Sequence, residues 1–131
     1  MMRTLSDAMK DCVEHCQHCH AECLETAMNL CLDRGGRHTE PEHFRLMISC
    51  ATLCQSAADL MLSGSAFHER QCALCAVACE ACAQSCEELG GMEQCVDLCR
   101  QCAQSCNDMS GNASRERSVA RQAPRQRSTA S

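Results

Sequence analysis

The sequence predicts an all-α protein, an up-down-up-down antiparallel four-helix bundle with a cysteine-lined core and a disordered C-terminal tail. Three observations carry that expectation. Of the 131 residues 16 are cysteine, and most recur at alternating spacings of three and four, the mark of one helical face. Glycine-bearing breaks divide the first 109 residues into four such segments. The breaks are short, and connections of roughly three to eight residues join antiparallel neighbours.

The first helix is expected over about 4–32, stopped by Asp33-Arg34-Gly35-Gly36. Its cysteines are Cys12, Cys16, Cys19 and Cys23, with Cys31 further on. The second, about 40–62, opens with Thr39-Glu40-Pro41-Glu42, which reads as a threonine cap, a first-turn proline and a capping-box glutamate. It holds only Cys50 and Cys54 and ends at Ser63-Gly64-Ser65. The third, about 66–89, takes Ser65 as its cap, carries Cys72, Cys75, Cys79, Cys82 and Cys86, and stops at Gly90-Gly91. The fourth, about 92–109, carries Cys95, Cys99, Cys102 and Cys106 and stops at Ser110-Gly111. Two units follow: a bundle over 1–109 and a tail over 110–131.

Composition explains why cysteine must build the interior. Leu, Ile, Val and Phe together number 18, and Trp and Tyr are absent. Such a shortage ordinarily signals disorder, because burial cannot offset the entropy of ordering the chain. Alanine, methionine and cysteine bring the apolar total to 45%, so thiols supply much of any core. No stretch approaches the roughly 18 apolar residues of a membrane span. The start, Met1 to Asp7, lacks the apolar run of a secretory signal. Free thiols in a reducing cytoplasm are therefore expected, rather than the disulfide scaffold of a small secreted protein.

Charge separates the body from the tail. Residues 1–109 have a net charge of −9 and residues 110–131 one of +4. The tail has no periodicity and one large apolar residue, Val119, which is the composition of a disordered segment. A basic arm for nucleic acid is the sharper reading, but aromatics and an adjoining folded reader are missing. Neither nucleic acid nor membrane is an expected partner.

At 100° per residue the cysteines of each rich helix fall within an arc of roughly 60–80°. They occupy the seam where a bundle ordinarily places leucine. As packing alone this is costly, since each exchange of leucine for cysteine gives up on the order of 1 kcal/mol of burial. Neighbours along one helical face also point side by side, which suits disulfide geometry poorly. Metal binding remains. Thiolates at i, i+3 and i, i+4 form two-ligand clips, which suit soft Cu(I) with two or three sulfurs and bridging between turns. Zinc prefers tetrahedral sets, and iron–sulfur motifs wrap loops around a cluster. A zinc buffer and an iron–sulfur or disulfide redox module stand as rival readings. Charge balance would place about sixteen monovalent ions against the thiolates. A tube of thiolates offers no open coordination position or substrate pocket, so capacity rather than catalysis is expected.

Projecting the stripes puts Leu5, Met9, Met61, His68 and Met109 at one end of the bundle. Cys31, His43, Met47, Cys86, Met92 and Cys95 lie at the other. Thioethers and imidazoles are neutral Cu(I) ligands. His43 and His68 continue the cysteine register by seven and four residues, and with Met61 they join the sixteen cysteines as candidate ligands. His15, His18 and His20 flank the stripe as interfacial or solvated residues, and His38 is expected at the surface. Leu46, Leu53 and Leu60, with Phe44, Ile48 and Leu62 further around, would either leave an apolar face for self-association or close the bundle where cysteine is missing.

The sequence resembles a known family, the four-helix-bundle copper storage proteins, in their cytosolic, Cys-rich, Cu(I)-binding branch. The segments that carry the resemblance are Cys50-Ala51-Thr52-Leu53-Cys54 with Ala57-Ala58-Asp59 and Ser63-Gly64-Ser65, then the runs Cys72 to Cys86 and Cys95 to Cys106. It covers roughly residues 5–109. It implies a core loaded with many Cu(I) ions, a homotetramer, and copper storage in a bacterial cytosol. It further implies that His and Met residues stand at the bundle mouth, as His43, His68 and Met61 would. Copper chaperones and low-molecular-weight thiols are the delivering partners such a role calls for. The basic tail falls outside the family pattern, and the second helix is poor in thiols.

Overall fold

The computed structural model describes residues 5–111. Four long helices make up most of it: α1 (Asp7–Glu25), α2 (Pro41–Leu62), α3 (His68–Leu89) and α4 (Glu93–Met109). Each packs against its neighbours in sequence, and α1 closes the square against α4. Contacts run antiparallel: Cys12 at the start of α1 meets Cys106 at the end of α4, and Cys23 meets Cys95. This is the expected up-down-up-down bundle. No helix among the described residues is long and apolar enough to cross a membrane. The tail expected beyond the bundle lies, from residue 112 on, outside the described residues. Ser110 still belongs to the body, fully buried and donating its hydroxyl to the Asn107 carbonyl at 2.7 Å.

Helix starts follow local chemistry, and two differ from expectation. Ser6 caps α1, its hydroxyl accepting from the Met9 amide at 3.1 Å. The capping box at Thr39 does not form. Proline at position 41 forces the preceding residue extended, so Glu40, at ψ 140°, becomes the cap. Thr39 sits one residue too early, in a 3-10 turn over Gly36–Thr39, and bonds Gly36 instead. Ser65 is likewise not the cap of α3, which begins at His68. Its hydroxyl accepts from the Phe67 amide at 3.0 Å and shapes the turn leading in. Helix ends match the glycine breaks, with Gly90 at φ 80° terminating α3.

The largest local departure lies beyond Glu25. Residues Thr26–Cys31 form a π-helical segment, followed by one α turn over Leu32–Arg34. A wider turn absorbs one extra residue. Cys31, eight residues after Cys23, therefore falls where an ideal helix places the seventh, back on the inward seam.

The core is small-residue and sulfur-rich. Besides the cysteines it holds Val13, Val96, seven alanines from Ala27 to Ala103, and the three methionines Met47, Met61 and Met92. Phe44, Leu46, Ile48 and Leu53 pack partly buried against it, so much of the apolar face of α2 closes the bundle. Large exposed apolar side chains fall mainly on other surfaces: Leu24, Met28 and Leu32 after the middle of the first segment, Phe67 before α3, and Leu74 and Val77 on it.

Candidate metal centre

All sixteen cysteines are free and buried. They form a continuous column because four stripes, one per helix, face the same axis. Cys12 and Cys72 mark one end with Cys106. Cys16 lies 3.5 Å from Cys106 and 3.7 Å from Cys102. In the middle, Cys54 Sγ is 3.6 Å from both Cys75 and Cys79, and 3.8 Å from Cys102. Cys50 is 3.6 Å from Cys79 and 3.8 Å from Cys23. Further along, Cys23 reaches Cys99 at 3.5 Å and Cys95 at 3.7 Å, and Cys95 reaches Cys86 at 4.0 Å.

Sulfur quartets with all Sγ atoms within 4.8 Å of one another recur along the column. Cys16, Cys75, Cys102 and Cys106 form one; Cys54, Cys75, Cys79 and Cys102 form the next. Others are Cys19, Cys50, Cys54 and Cys79, then Cys19, Cys23, Cys50 and Cys99, then Cys23, Cys82, Cys95 and Cys99. Successive quartets share members. Shared thiolates are what bridging between neighbouring soft monovalent ions requires, whereas isolated tetrahedral sites would keep their ligands to themselves.

So many close sulfurs behave as a shared-proton array. A thiolate receiving S–H donors is stabilised, and its donors are held protonated in turn. Cys95 is pushed down to about 5, chiefly by Cys23, with Cys86 and Cys99 helping and Cys82 opposing. Cys19 and Cys75 are also driven down, each first by Cys102. Cys50 is pushed up, first by Cys19, and Cys86 first by Cys82. Burial raises Cys31. Full ionisation of this interior needs cations within it.

The end that holds Cys31 is chemically mixed. Cys31 Sγ is 3.8 Å from His43 Nε2 and 3.9 Å from Met92 Sδ. His43 is buried, its Nδ1 hydrogen-bonded to Ser85 Oγ at 2.7 Å, and burial lowers its pKa. An imidazole tied at Nδ1 while Nε2 faces a sulfur is the arrangement that orients metal-binding histidines. Met47 Sδ lies 3.4 Å from Cys82 and 3.3 Å from Cys86. A surface groove lined by His43, Ser85, Glu40, Glu42 and Glu88 reaches this end between α2 and α3.

At the opposite end Met61 is fully buried, but among the described residues no thiol donates to its sulfur. His68 is half-buried and hydrogen-bonded through Nδ1 to the Ser65 carbonyl at 2.9 Å, at the start of α3 rather than on the column. His15 and His20 join helices, to Ser105 at 2.8 Å and the Ala51 carbonyl at 2.7 Å, while His18 is solvated. His38 differs from expectation. It is half-buried, edge-on to His43 with ring centroids 6.4 Å apart, and its Nδ1 is enclosed without a hydrogen-bond partner. Its place in a glycine-rich turn gave no sequence signal, because only the 3-10 turn folds it back over α2.

Comparison with known proteins agrees with this geometry. A model of the copper storage protein family matches residues 3–111. An uncharacterised cysteine-rich protein of Bacillus subtilis, YhjQ, is 36% identical over 80 residues, which are 61% of this chain and 67% of that protein. The crystal structure of the Nmul_A1745 protein from Nitrosospira multiformis superposes with a TM-score of 0.78 at 50% identity, over 80% of this chain and 96% of the other. The Cu(I)-bound copper storage protein BsCsp3 superposes with a TM-score of 0.74 at 31% identity, over 80% of this chain and all of its own. With the family matched across the bundle and its thiols converging on one axis in clusters that could hold metal ions, the chain belongs to the copper storage protein family.

Proposed function

We propose that the chain is a non-enzymatic reservoir of the bacterial cytoplasm, in which the cysteines from Cys12 to Cys106 hold Cu(I) as a chain of bridged two- and three-sulfur sites. The observation that carries this reading is the sharing of sulfurs between successive quartets. Linked sites let an ion pass along the column by exchanging one thiolate at a time, and they keep each ion neutralised. The same arrangement leaves no vacant coordination position beside a substrate pocket.

His43, with Cys31 and Met92, serves in this reading as a terminal ligand set, and His68 and Met61 serve the far end. His43 has the stronger support, because its Nε2 already faces a thiol. A copper chaperone or a low-molecular-weight thiol delivers the ion. The exposed apolar side chains Leu24, Met28 and Leu32 favour self-association, with a homotetramer as the assembly. The bundle unit ends near residue 109, and the basic remainder lies from residue 112 on outside the described residues.

Anaerobic Cu(I) titration of the full chain against a chromophoric competitor tests the central claim. Uptake of on the order of ten or more ions per chain is expected from thiolate charge balance. Saturation at one or two equivalents would overturn it. Light scattering of the same sample at micromolar concentration reads the assembly, and a monomer would remove the tetramer from the reading.

A further inference from the structure

We propose that Met47 is a Cu(I) ligand, its thioether completing a three-sulfur site with the Cys82 and Cys86 thiolates. The inference rests on the storage reading and specifies a site within it that cysteine spacing does not reveal. On α3, Cys82 and Cys86 form an i, i+4 clip. At the levels nearer the middle of the column α2 answers such clips with Cys50 and Cys54. One turn further on, α2 presents Met47.

The geometry is that of a ligand. Met47 is fully excluded from solvent. Its Sδ lies 3.4 Å from Cys82 Sγ and 3.3 Å from Cys86 Sγ, and both thiols donate to it. The thioether lone pairs therefore already face the two sulfurs, at the position a metal would take. Metal–sulfur bonds of about 2.3 Å separate trigonal sulfurs by about 4 Å. The thioether needs to part from the two thiols by only about 0.6–0.7 Å, a shift the unbranched methionine chain absorbs readily. Met61, equally buried, receives no thiol donor among the described residues, so burial alone does not produce this geometry.

The balance of the step is simple. One Cu(I) enters, the Cys82 and Cys86 thiol protons leave, and the thioether supplies a lone pair without releasing a proton. No electron moves. The site carries one negative charge, shared where a Cys86 thiolate bridges toward Cys95, 4.0 Å away. A neutral third ligand holds Cu(I) less tightly than a third thiolate, so this level exchanges its ion more readily than the middle of the column.

Selenium absorption spectroscopy on the selenomethionine-labelled full chain tests the proposal. Loading with Cu(I) should give a copper neighbour at bonding distance from selenium. The signal should fall in Met47→Leu, which keeps side-chain volume and loses the donor atom. No selenium–copper neighbour in the parent, or a signal unchanged in Met47→Leu, would overturn the proposal. Met47→Cys guards against a folding artefact: it should fold, retain the parent capacity and release one further proton on loading, and a capacity equal to that of Met47→Leu would count against a ligand here. Total copper uptake, measured on the same parent sample, separates the two levels of inference. High uptake without a selenium–copper neighbour removes Met47, and Met61 and Met92 with it, but leaves thiolate storage standing, whereas uptake of one or two ions removes the storage reading.

Discussion

Helices α2 and α3 face each other along their whole length and solve the same problem differently. Helix α3 lines its inward face with five cysteines at unbroken 3-4-3-4 spacing, from Cys72 to Cys86. Helix α2 buries His43, Met47, Cys50, Ala51, Cys54, Ala57, Ala58 and Met61. Its two thiols sit mid-column, alanines follow toward one end, and a methionine and a histidine toward the other. Thiol count is therefore a poor measure of what a helix contributes. Cys50 and Cys54 together enter three of the sulfur quartets, while Ala51, Ala57 and Ala58 supply close packing, backed by Phe44, Leu46, Ile48 and Leu53.

The contrast predicts how the bundle responds to change. The largest effect should come from removing both thiols of α2. Cys50→Ala with Cys54→Ala breaks linked sites in the middle, so copper capacity should fall by about twice as much as in a Cys72→Ala, Cys86→Ala pair on α3, as expected when ligands are shared. Competitive titration of both double variants reads this directly; equal losses would mean that the middle holds no special position.

Next in size is the packing of α2. Ala57 is fully buried, and enlarging a well-packed site costs about 1–3 kcal/mol. Ala57→Leu should lower apo stability by that amount in urea unfolding while leaving capacity nearly intact. An unchanged midpoint would show room at that level of the column.

Smaller and graded is the effect of pH. Thiols such as Cys50 and Cys86, pushed up by their neighbours, keep their protons at neutral pH, and Cu(I) must displace them. Affinity at those sites should weaken by about tenfold per pH unit for each proton displaced as pH falls. Cys95, held down to about 5, meets proton competition only in more acidic solution. For the apo bundle the sign is opposite at high pH. A raised thiol stabilises the fold below its ordinary value of 9.0, and that contribution is lost as pH rises beyond it. Chemical unfolding of the apo protein between pH 8 and 10 should show declining stability, and the copper-loaded protein should not follow it.

The smallest effect belongs to the outer surface. Arg100 pairs with Glu87 across α4 and α3 at 2.9 Å, with both side chains about half exposed. Such pairs are largely screened by solvent. Arg100→Ala should leave the thermal midpoint and the copper capacity indistinguishable from the parent.

Much of this was legible in the sequence because cysteine spacing and glycine breaks are local signals. The ends of α2, α3 and α4 at Leu62, Leu89 and Met109 follow from Gly64, Gly90 and Gly111. The starts were less legible. At Thr39 a capping box competes with the demand of Pro41 for an extended neighbour, and the steric demand wins. Ser65 loses its cap role to a turn that spends its hydroxyl two residues early. The sequence places Cys31 at the end of the stripe, but it is the π segment that brings it there, and nothing in Thr26–Cys31 announces a wider turn.

What the sequence by itself determined was the seam: which side chains face inward, on four helices, and that those side chains are thiols. Periodicity alone dictates that, since 3.6 residues per turn leaves positions three and four apart on one face. Which sulfurs share a site was decided only by tertiary structure. Quartets such as Cys19, Cys50, Cys54 and Cys79 draw on three helices, and their membership depends on the axial register of one helix against another. That register is set by how alanine and leucine pack between the helices and by where the turns end. The same register sets Met47 against Cys82 and Cys86 and turns His38 over His43, contacts between residues far apart in the chain that no local spacing encodes.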